Sequence, residues 1–199
     1  MTASNEPVAG PKPLRADAQR NRDAIVRAAR TVFDADQHDL RFDDFAGLAG
    51  VGIGTLYRHF PTREALAAAI YHEEITALSE RADELGRTQP ADIALDTFLR
   101  EMVAHVQSHQ GLARTLARLT GTTGTMPPDL AQASQLLETA VADLVAAAVR
   151  DGVIRDDVRP GAVMMALHGI SGTLDRPDWR HESDELLTAL IAGLRPVTD

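Results

Sequence analysis

The chain has 199 residues, no cysteine, 20 lysine and arginine residues against 29 aspartate and glutamate residues, and 44% hydrophobic residues. This composition describes one or two globular domains and excludes disulfide scaffolds, thiolate metal sites and cysteine nucleophiles. The longest stretch without Asp, Glu, Lys or Arg has 15 residues, which is shorter than the roughly 18 needed to span a bilayer. The first 14 residues lack an apolar signal core, so we expect a cytoplasmic protein.

The negative charge is unevenly distributed along the chain. Residues 1–60 contain eight basic and eight acidic side chains, so residues 61–199 carry the whole net charge of -9. Positions 12–30 hold six basic residues against two acidic ones. The total charge alone argues against a polyanionic partner, but the N-terminal part is free of that repulsion. A solvated helix face is the alternative explanation of the basic stretch.

The predicted secondary structure is helical throughout. Several prolines and glycines among residues 1–13 predict a disordered arm. Apolar residues then recur at helical spacing, and no segment shows sustained β alternation. The first predicted helix buries Ile25, Ala29, Val32 and Phe33, and the others span about 43–49, 53–60, 62–85, 91–108, 111–119, 129–150, 159–171 and 182–194. The sequence therefore predicts an all-α fold of about nine helices.

Two of these short helices, joined by the turn Gly50-Val51-Gly52, have the outline of a helix-turn-helix. Glycine suits the start of the turn because it adopts a positive φ without a Cβ clash. Leu56 and Phe60, four residues apart, are predicted to point inward. The outer face then carries Gly54, Thr55, Arg58 and His59, with Ile53 and Tyr57 at its edge. These side chains suit a DNA major groove, although an ordinary αα-hairpin with a solvated face has the same spacing.

The stretch from Arg20 to Leu66 resembles the N-terminal domain of the TetR family of transcriptional regulators, above all in the segment AGVGIGTLYRHFPTREAL. The resemblance implies a three-helix DNA-binding domain over residues 14–61 and a helical ligand-binding and dimerisation domain over 62–199. It implies a homodimeric repressor that releases a palindromic operator in double-stranded DNA when a small apolar effector binds. The DNA contacts that it implies are Arg41, Ile53, Gly54, Thr55, Tyr57, Arg58, His59 and Arg63.

Some positions depart from the family pattern. Many members have lysine or a polar residue where this chain has Ile53, and a basic residue where it has Gly47. The smaller positive charge predicts modest non-specific affinity, with Arg15, Arg20 and Arg22 as further candidates for contacts to DNA.

The resemblance also directs attention to two sets of residues in the C-terminal part. Candidate effector-binding residues, for which a hydrophobic core is the alternative, are Phe98, Met102, His105, Leu116, Met126, Met164, Met165 and His168. The last two predicted helices carry apolar stripes too wide for one internal face, which indicates a dimer surface. Its candidate residues are Val163, Leu167, Ile170, Leu187, Leu190, Ile191 and Leu194, flanked by Ala162, Ala166 and Leu186.

Other chemistries are weaker interpretations of this sequence. Glu101, His105 and His109 are spaced four residues apart and offer ligand types that zinc accepts, but Gly111 places His109 near a helix end. We therefore predict no metal and no other cofactor. Ser171 lies in GISG, one residue short of a nucleophile elbow, so no enzyme is predicted. The alternative function is an acidic helical ligand carrier or protein-interaction module without DNA binding.

Overall fold

The computed structural model describes residues 12–35, 40–112, 115 and 128–196, with side chains from residue 16 and, in the last segment, from residue 130. These residues form helices and contain no strand, which confirms the all-α prediction. The helices are α1 (Lys12–Asp34), α2 (Asp44–Leu48), α3 (Ile53–His59), α4 (Arg63–Thr88), α5 (Ala91–Ser108), α6 (Pro128–Arg150), α7 (Pro160–Ser171) and α8 (Trp179–Leu194). The helix predicted over 111–119 lies mostly outside the described residues, as do residues 1–11 of the predicted arm.

Helices α1 to α3, which we call the head, share one apolar cluster with the first half of α4. Its fully buried members include Ile25, Phe33, Phe45, Leu56 and Leu66. The stripe predicted for the first helix is therefore confirmed as the inner face of α1. The cluster also takes in Leu112 and Leu130, from the parts of the chain that flank residues 116–127.

Helices α5 to α8, which we call the body, form a second cluster with the other half of α4. Helix α4 is 26 residues long, or about 39 Å at 1.5 Å per residue. Its Leu66 and Ile70 belong to the head cluster, whereas its Ile75, Ala82 and Leu85 belong to the body cluster. One continuous helix therefore joins the two apolar clusters.

Two helix ends differ from the sequence prediction because tertiary packing replaces a local signal. Helix α4 continues to Thr88, so Gly86 is an internal residue and not a cap. A Cβ at Gly86 would lie 3.4 Å from Leu144 Cδ2, an ordinary contact distance, so α6 packs against this part of α4. Helix α8 begins three residues early at Trp179, which is buried and donates a 2.7 Å hydrogen bond from Nε1 to the Ile170 carbonyl.

At the N-terminus, α1 already includes Lys12, so the last two residues of the predicted arm are helical. Among the described residues, no helix is both long enough and apolar enough to cross a membrane.

Candidate nucleic-acid interface

The turn between α2 and α3 has the backbone geometry that the sequence predicts. Gly50 has a φ of +67°, in the left-handed region that favours glycine. Its N–H donates to the Gly47 carbonyl at 3.1 Å, and the Val51 N–H donates to the Ala46 carbonyl at 2.9 Å. These two bonds form a Schellman motif, which ends α2 and reverses the chain toward α3.

Helix α3 has one buried and one open face. Leu56 is fully buried and Phe60, which follows the helix, is 4% exposed, so both inward residues are confirmed. Ile53 is 55% exposed and Tyr57 is 45% exposed, which places them on the open face and not at its edge. Gly54 and Arg58 are exposed as well, whereas Thr55 and His59 are half-buried. Helix α3 therefore presents an uncovered surface that begins at its N-terminal turn.

Tyr57 is held by two neighbours from the α2 side. Its hydroxyl donates a 2.8 Å hydrogen bond to Asp43 Oδ1, and its ring meets Phe42 edge-on with 5.4 Å between centroids. The hydrogen bond to Asp43, with smaller contributions from burial and from the charge of that carboxylate, raises the pKa of Tyr57 above 10.0. The hydroxyl stays protonated at neutral pH, and its single proton is donated to Asp43. Asp43 lies 14 residues before Tyr57, too far along the chain for helical periodicity to relate the two.

The two arginines that flank the helix pair have different environments. Arg63 donates from Nη1 to the Leu40 carbonyl at 2.7 Å, and its guanidinium lies 5.3 Å from the Phe33 ring centroid and 5.2 Å from that of Phe45. It joins α4 to the α1–α2 connection. By contrast, the Arg41 side chain is 82% exposed, and its Nη2 lies 3.9 Å from Asp43 Oδ2. Arg41 thus extends the open surface, whereas Arg63 packs within the head.

The arginines of α1 are largely paired within the chain. Arg22 Nη1 lies 2.8 Å from Glu73 Oε1, and Arg30 Nη2 lies 3.1 Å from Glu73 Oε2. Arg20 pairs with Asp17 on the same helix. Glu73 is on α4, so Arg22 and Arg30 join α1 to α4, and this carboxylate offsets part of the positive charge of the basic stretch. The side chain of Arg15 lies outside the described residues.

The structure is that of a helix-turn-helix protein, because it has a Schellman-type turn, an inward Leu56 and an uncovered second helix.

Comparisons with known proteins agree with this class. Residues 25–70 match the model of the bacterial regulatory proteins of the tetR family, and residues 89–196 match that of the C-terminal domain of SbtR-like transcriptional regulators. The chain belongs to the TetR family of DNA-binding transcriptional regulators, which confirms the resemblance found in the sequence. Members of this family are regulators and not enzymes.

Three relatives illustrate the likeness. The crystal structure of a TetR transcriptional regulator from Streptomyces coelicolor is 37% identical, covers 89% of this chain and 99% of that chain, and has a TM-score of 0.68. That of a TetR transcription regulatory protein from Mycobacterium vanbaalenii is 30% identical, covers 92% and 100%, and also has a TM-score of 0.68. An HTH-type transcriptional regulator from Staphylococcus aureus (strain MRSA252) is 33% identical over 63 residues, which span 31% of this chain and 33% of that regulator.

The predicted effector residues lie in three different places. Phe98 and Met102 are buried in the body cluster. His105 lies 3.1 Å from the carboxylate of Glu74. Three further predicted effector residues line an open groove of about 580 Å³ between α6 and α7: Met164, Met165 and His168. Leu116 and Met126 lie outside the described residues.

The structure places the predicted dimer residues at different depths of the protomer. Five of them are buried in the protomer's own core, where they offer almost no area to a second chain: Val163, Leu167, Ile170, Leu187 and Leu194. Leu190 and Ile191 are half-buried. The other half of each stripe faces outward, with Met165 75% exposed and Leu186 56% exposed. Hydrophobicity alone does not distinguish the two halves, because both are apolar.

Proposed function

We propose that the chain is a homodimeric repressor, which binds a palindromic operator through α3 and releases it when a small apolar molecule binds the body. In this proposal residues 14–61 contact DNA, residues 62–199 bind the effector and the second copy, and the protein acts on chromosomal DNA in the cytoplasm. The open face of α3 is the observation that carries the proposal. The membership of the TetR family supports it.

The contacts follow from the position of each residue on α3. Gly54 and Thr55 lie in the first turn, where an absent or small side chain permits close approach to base edges, and Ile53 can contact a thymine methyl group. At the other end, Arg58 and His59 can donate to phosphates, as can the exposed Arg41. Tyr57 donates to a phosphate only when its hydroxyl turns away from Asp43. A seven-residue helix covers few base pairs, so two copies about 34 Å apart are needed to contact two half-sites.

A second copy of the chain fits the outward stripes of α7 and α8. The exposed or half-buried small and apolar residues at helical spacing are Ala162, Met165, Ala166 and Gly169 on α7, and Leu186, Ala189, Leu190 and Gly193 on α8. Small residues let two helices approach closely, and the same patch on both chains forms an isologous two-fold interface. The dimer surface proposed here is therefore next to the residues first predicted.

Control by an effector requires a path from the body to α3. Helix α4 provides it, because its first half packs in the head cluster and its second half in the body cluster. A molecule that prefers one tilt of α4 changes the separation of the two copies of α3, and it shifts the DNA equilibrium by its own difference in affinity for the two states.

Fluorescence anisotropy with a duplex from the region upstream of the protein's own coding sequence tests the proposal. The double variant Tyr57→Phe, His59→Ala keeps an aromatic ring on Phe42 and removes two donors from each copy. If each lost contact costs about 0.5–1.5 kcal/mol, four contacts lower the affinity at least about 25-fold. His181→Ala, an exposed histidine of α8, is the control and should bind as the wild type does. Unchanged binding by the double variant, at unchanged helicity and dimer mass, would contradict the assigned surface.

A further inference from the structure

A cluster of two histidines and a carboxylate lies where the head meets the body. Glu74 from α4, together with His105 and His109 from the end of α5, places one ligand atom each within 4.8 Å of the other two. His105 Nε2 is 3.1 Å from Glu74 Oε2, and His109 Nε2 is 3.9 Å from Glu74 Oε1. Asp34, the last residue of α1, adds a second carboxylate, with Oδ1 3.7 Å from His109 Nε2. Three helices therefore contribute to one polar cluster.

The burial of Glu74 is the first observation that points to a ligand. Its side chain is only 4% exposed, and its Oε1 is buried without a hydrogen-bond partner among the described residues. Arg30 Nη1 lies 3.8 Å and His109 Nε2 lies 3.9 Å from this oxygen, both beyond hydrogen-bond distance. A buried carboxylate oxygen left in this state is costly unless a cation binds it.

The orientation of the histidines is the second observation. His109 Nδ1 donates a 2.9 Å hydrogen bond to the His105 carbonyl, so the neutral ring has its unprotonated nitrogen, Nε2, directed toward the carboxylates. Metal-binding histidines commonly donate their other ring nitrogen to a carbonyl in this way. The two imidazoles stack with 4.3 Å between centroids, and the Nε2 atom of each lies within 4 Å of a Glu74 carboxylate oxygen.

We propose that Glu74, His105 and His109 form a binding site for Zn²⁺. Asp34, whose Oδ1 lies 3.7 Å from His109 Nε2 but outside this group of three, turns toward the ion as its fourth ligand and joins α1 to α4 and α5. Bond lengths of 2.0–2.2 Å in a tetrahedral site separate neighbouring ligand atoms by about 3.3 Å, so the three ligand atoms, which lie within 4.8 Å of one another, need only a small inward movement to bind one ion. Two imidazoles favour zinc over magnesium or calcium, which prefer oxygen ligands.

The surroundings of the cluster are compatible with a bound cation. Arg30 already has another carboxylate partner, since its Nη2 lies 3.1 Å from Glu73 Oε2, so it can yield Glu74 Oε1 to the metal. Asp34 is 41% exposed, which leaves an entry path from solvent. Glu101, the carboxylate suggested by the sequence spacing, is not a member, because Arg81 Nη2 holds it at 2.9 Å.

A metal here is expected to influence DNA binding, because α1 packs against α3 in the head. Bound Zn²⁺ fixes the end of α1 relative to α4 and α5, and should change operator affinity by about fivefold or more. This consequence rests on the proposed function, whereas the metal site itself does not.

Cobalt titration of the untagged, EDTA-treated chain tests the site through visible absorption. One Co²⁺ per chain should produce the intense bands of four- or five-coordinate cobalt, which Zn²⁺ should remove by competition. Glu74→Gln and His105→Ala should each weaken binding by at least about 100-fold. Glu101→Gln and His181→Ala should leave the titration unchanged. Melting curves in EDTA establish that each variant is folded. Zn²⁺ should raise the melting temperature of the wild type but not that of Glu74→Gln or His105→Ala.

Several results would overturn the proposal. One is a spectrum typical of hexaaqua cobalt, and another is binding that survives Glu74→Gln or depends equally on Glu101; the cluster is then an internal ion-pair network. A folded Asp34→Asn variant with wild-type Zn²⁺ affinity would remove Asp34 as the fourth ligand and with it the link to α1. If no DNA duplex binds with or without Zn²⁺ while the cobalt spectrum is normal, the proposed DNA-binding function fails and the site stands.

Discussion

At the scale of single residues, Gly54 separates the requirements of folding from those of DNA binding. A Cβ at this position meets no atom within 4 Å, so the fold does not require glycine there. Gly54→Ala should leave the free energy of unfolding unchanged or raise it by up to about 1 kcal/mol, because alanine favours the helix. The added methyl group lies on the surface proposed to meet DNA, so we expect operator affinity to fall about tenfold in anisotropy titrations.

Gly47→Ala is the matched control for this prediction. Gly47 is on α2, and a Cβ there likewise meets nothing within 4 Å. We expect the same small effect on stability and at most a twofold change in affinity. Equal affinity for Gly54→Ala and wild type would show that the first turn of α3 does not approach DNA closely.

Single residues also differ in how far their environments could be predicted from the sequence. The inward positions Leu56 and Phe60 were predictable, since residues four apart share one side of a helix. The environment of Arg63 was not predictable, because its partners Phe33, Phe45 and Leu40 come from other elements at least 18 residues away. For the same reason the sequence pairs His105 with His109 but not with Glu74, which lies 31 residues before His105 on another helix.

At the scale of elements, the turn between α2 and α3 depends on the left-handed residue Gly50. Gly50→Ala places a Cβ at a φ of +67°, which costs roughly 1–2 kcal/mol. Urea unfolding followed by circular dichroism should show this loss. Gly52→Ser, in the same turn at a φ of -72°, should be neutral or slightly stabilising, because serine is a good N-cap for α3. Equal losses in both variants would contradict a role for positive φ.

Helix boundaries were predictable where local signals and packing agree. The C-terminal end of α3 was within one residue, because Pro61 follows it and a proline disfavours helix in the residue before it. The predicted end of α4 was too early, because glycine is the residue type that commonly follows a helix end. In the structure Leu144 of α6 packs against Gly86, and α4 continues to Thr88. The start of α8 was missed because Trp179 is anchored by the Ile170 carbonyl, a contact outside its own helix.

At the scale of the whole molecule, charge orients the protein toward DNA. Residues 61–199 carry the entire net charge of -9, whereas residues 1–60 are neutral overall. In a dimer joined through α7 and α8, both acidic bodies repel the phosphates, and both heads are the surfaces that can approach them. The distribution of charge therefore disfavours binding in the reverse orientation.

Dimer formation through the outward stripes of α7 and α8 can be tested by placing a charge on α8. Leu186→Glu places a carboxylate on each copy within a two-fold interface, where it is desolvated and close to its symmetry mate. We expect light scattering after size exclusion to give the monomer mass, and operator affinity to fall with it. Ile93→Glu, at a position that is 48% exposed against 56% for Leu186, introduces the same charge on α5 and should remain a dimer. A dimer that survives Leu186→Glu but not Ile93→Glu would move the interface from α8 to the start of α5.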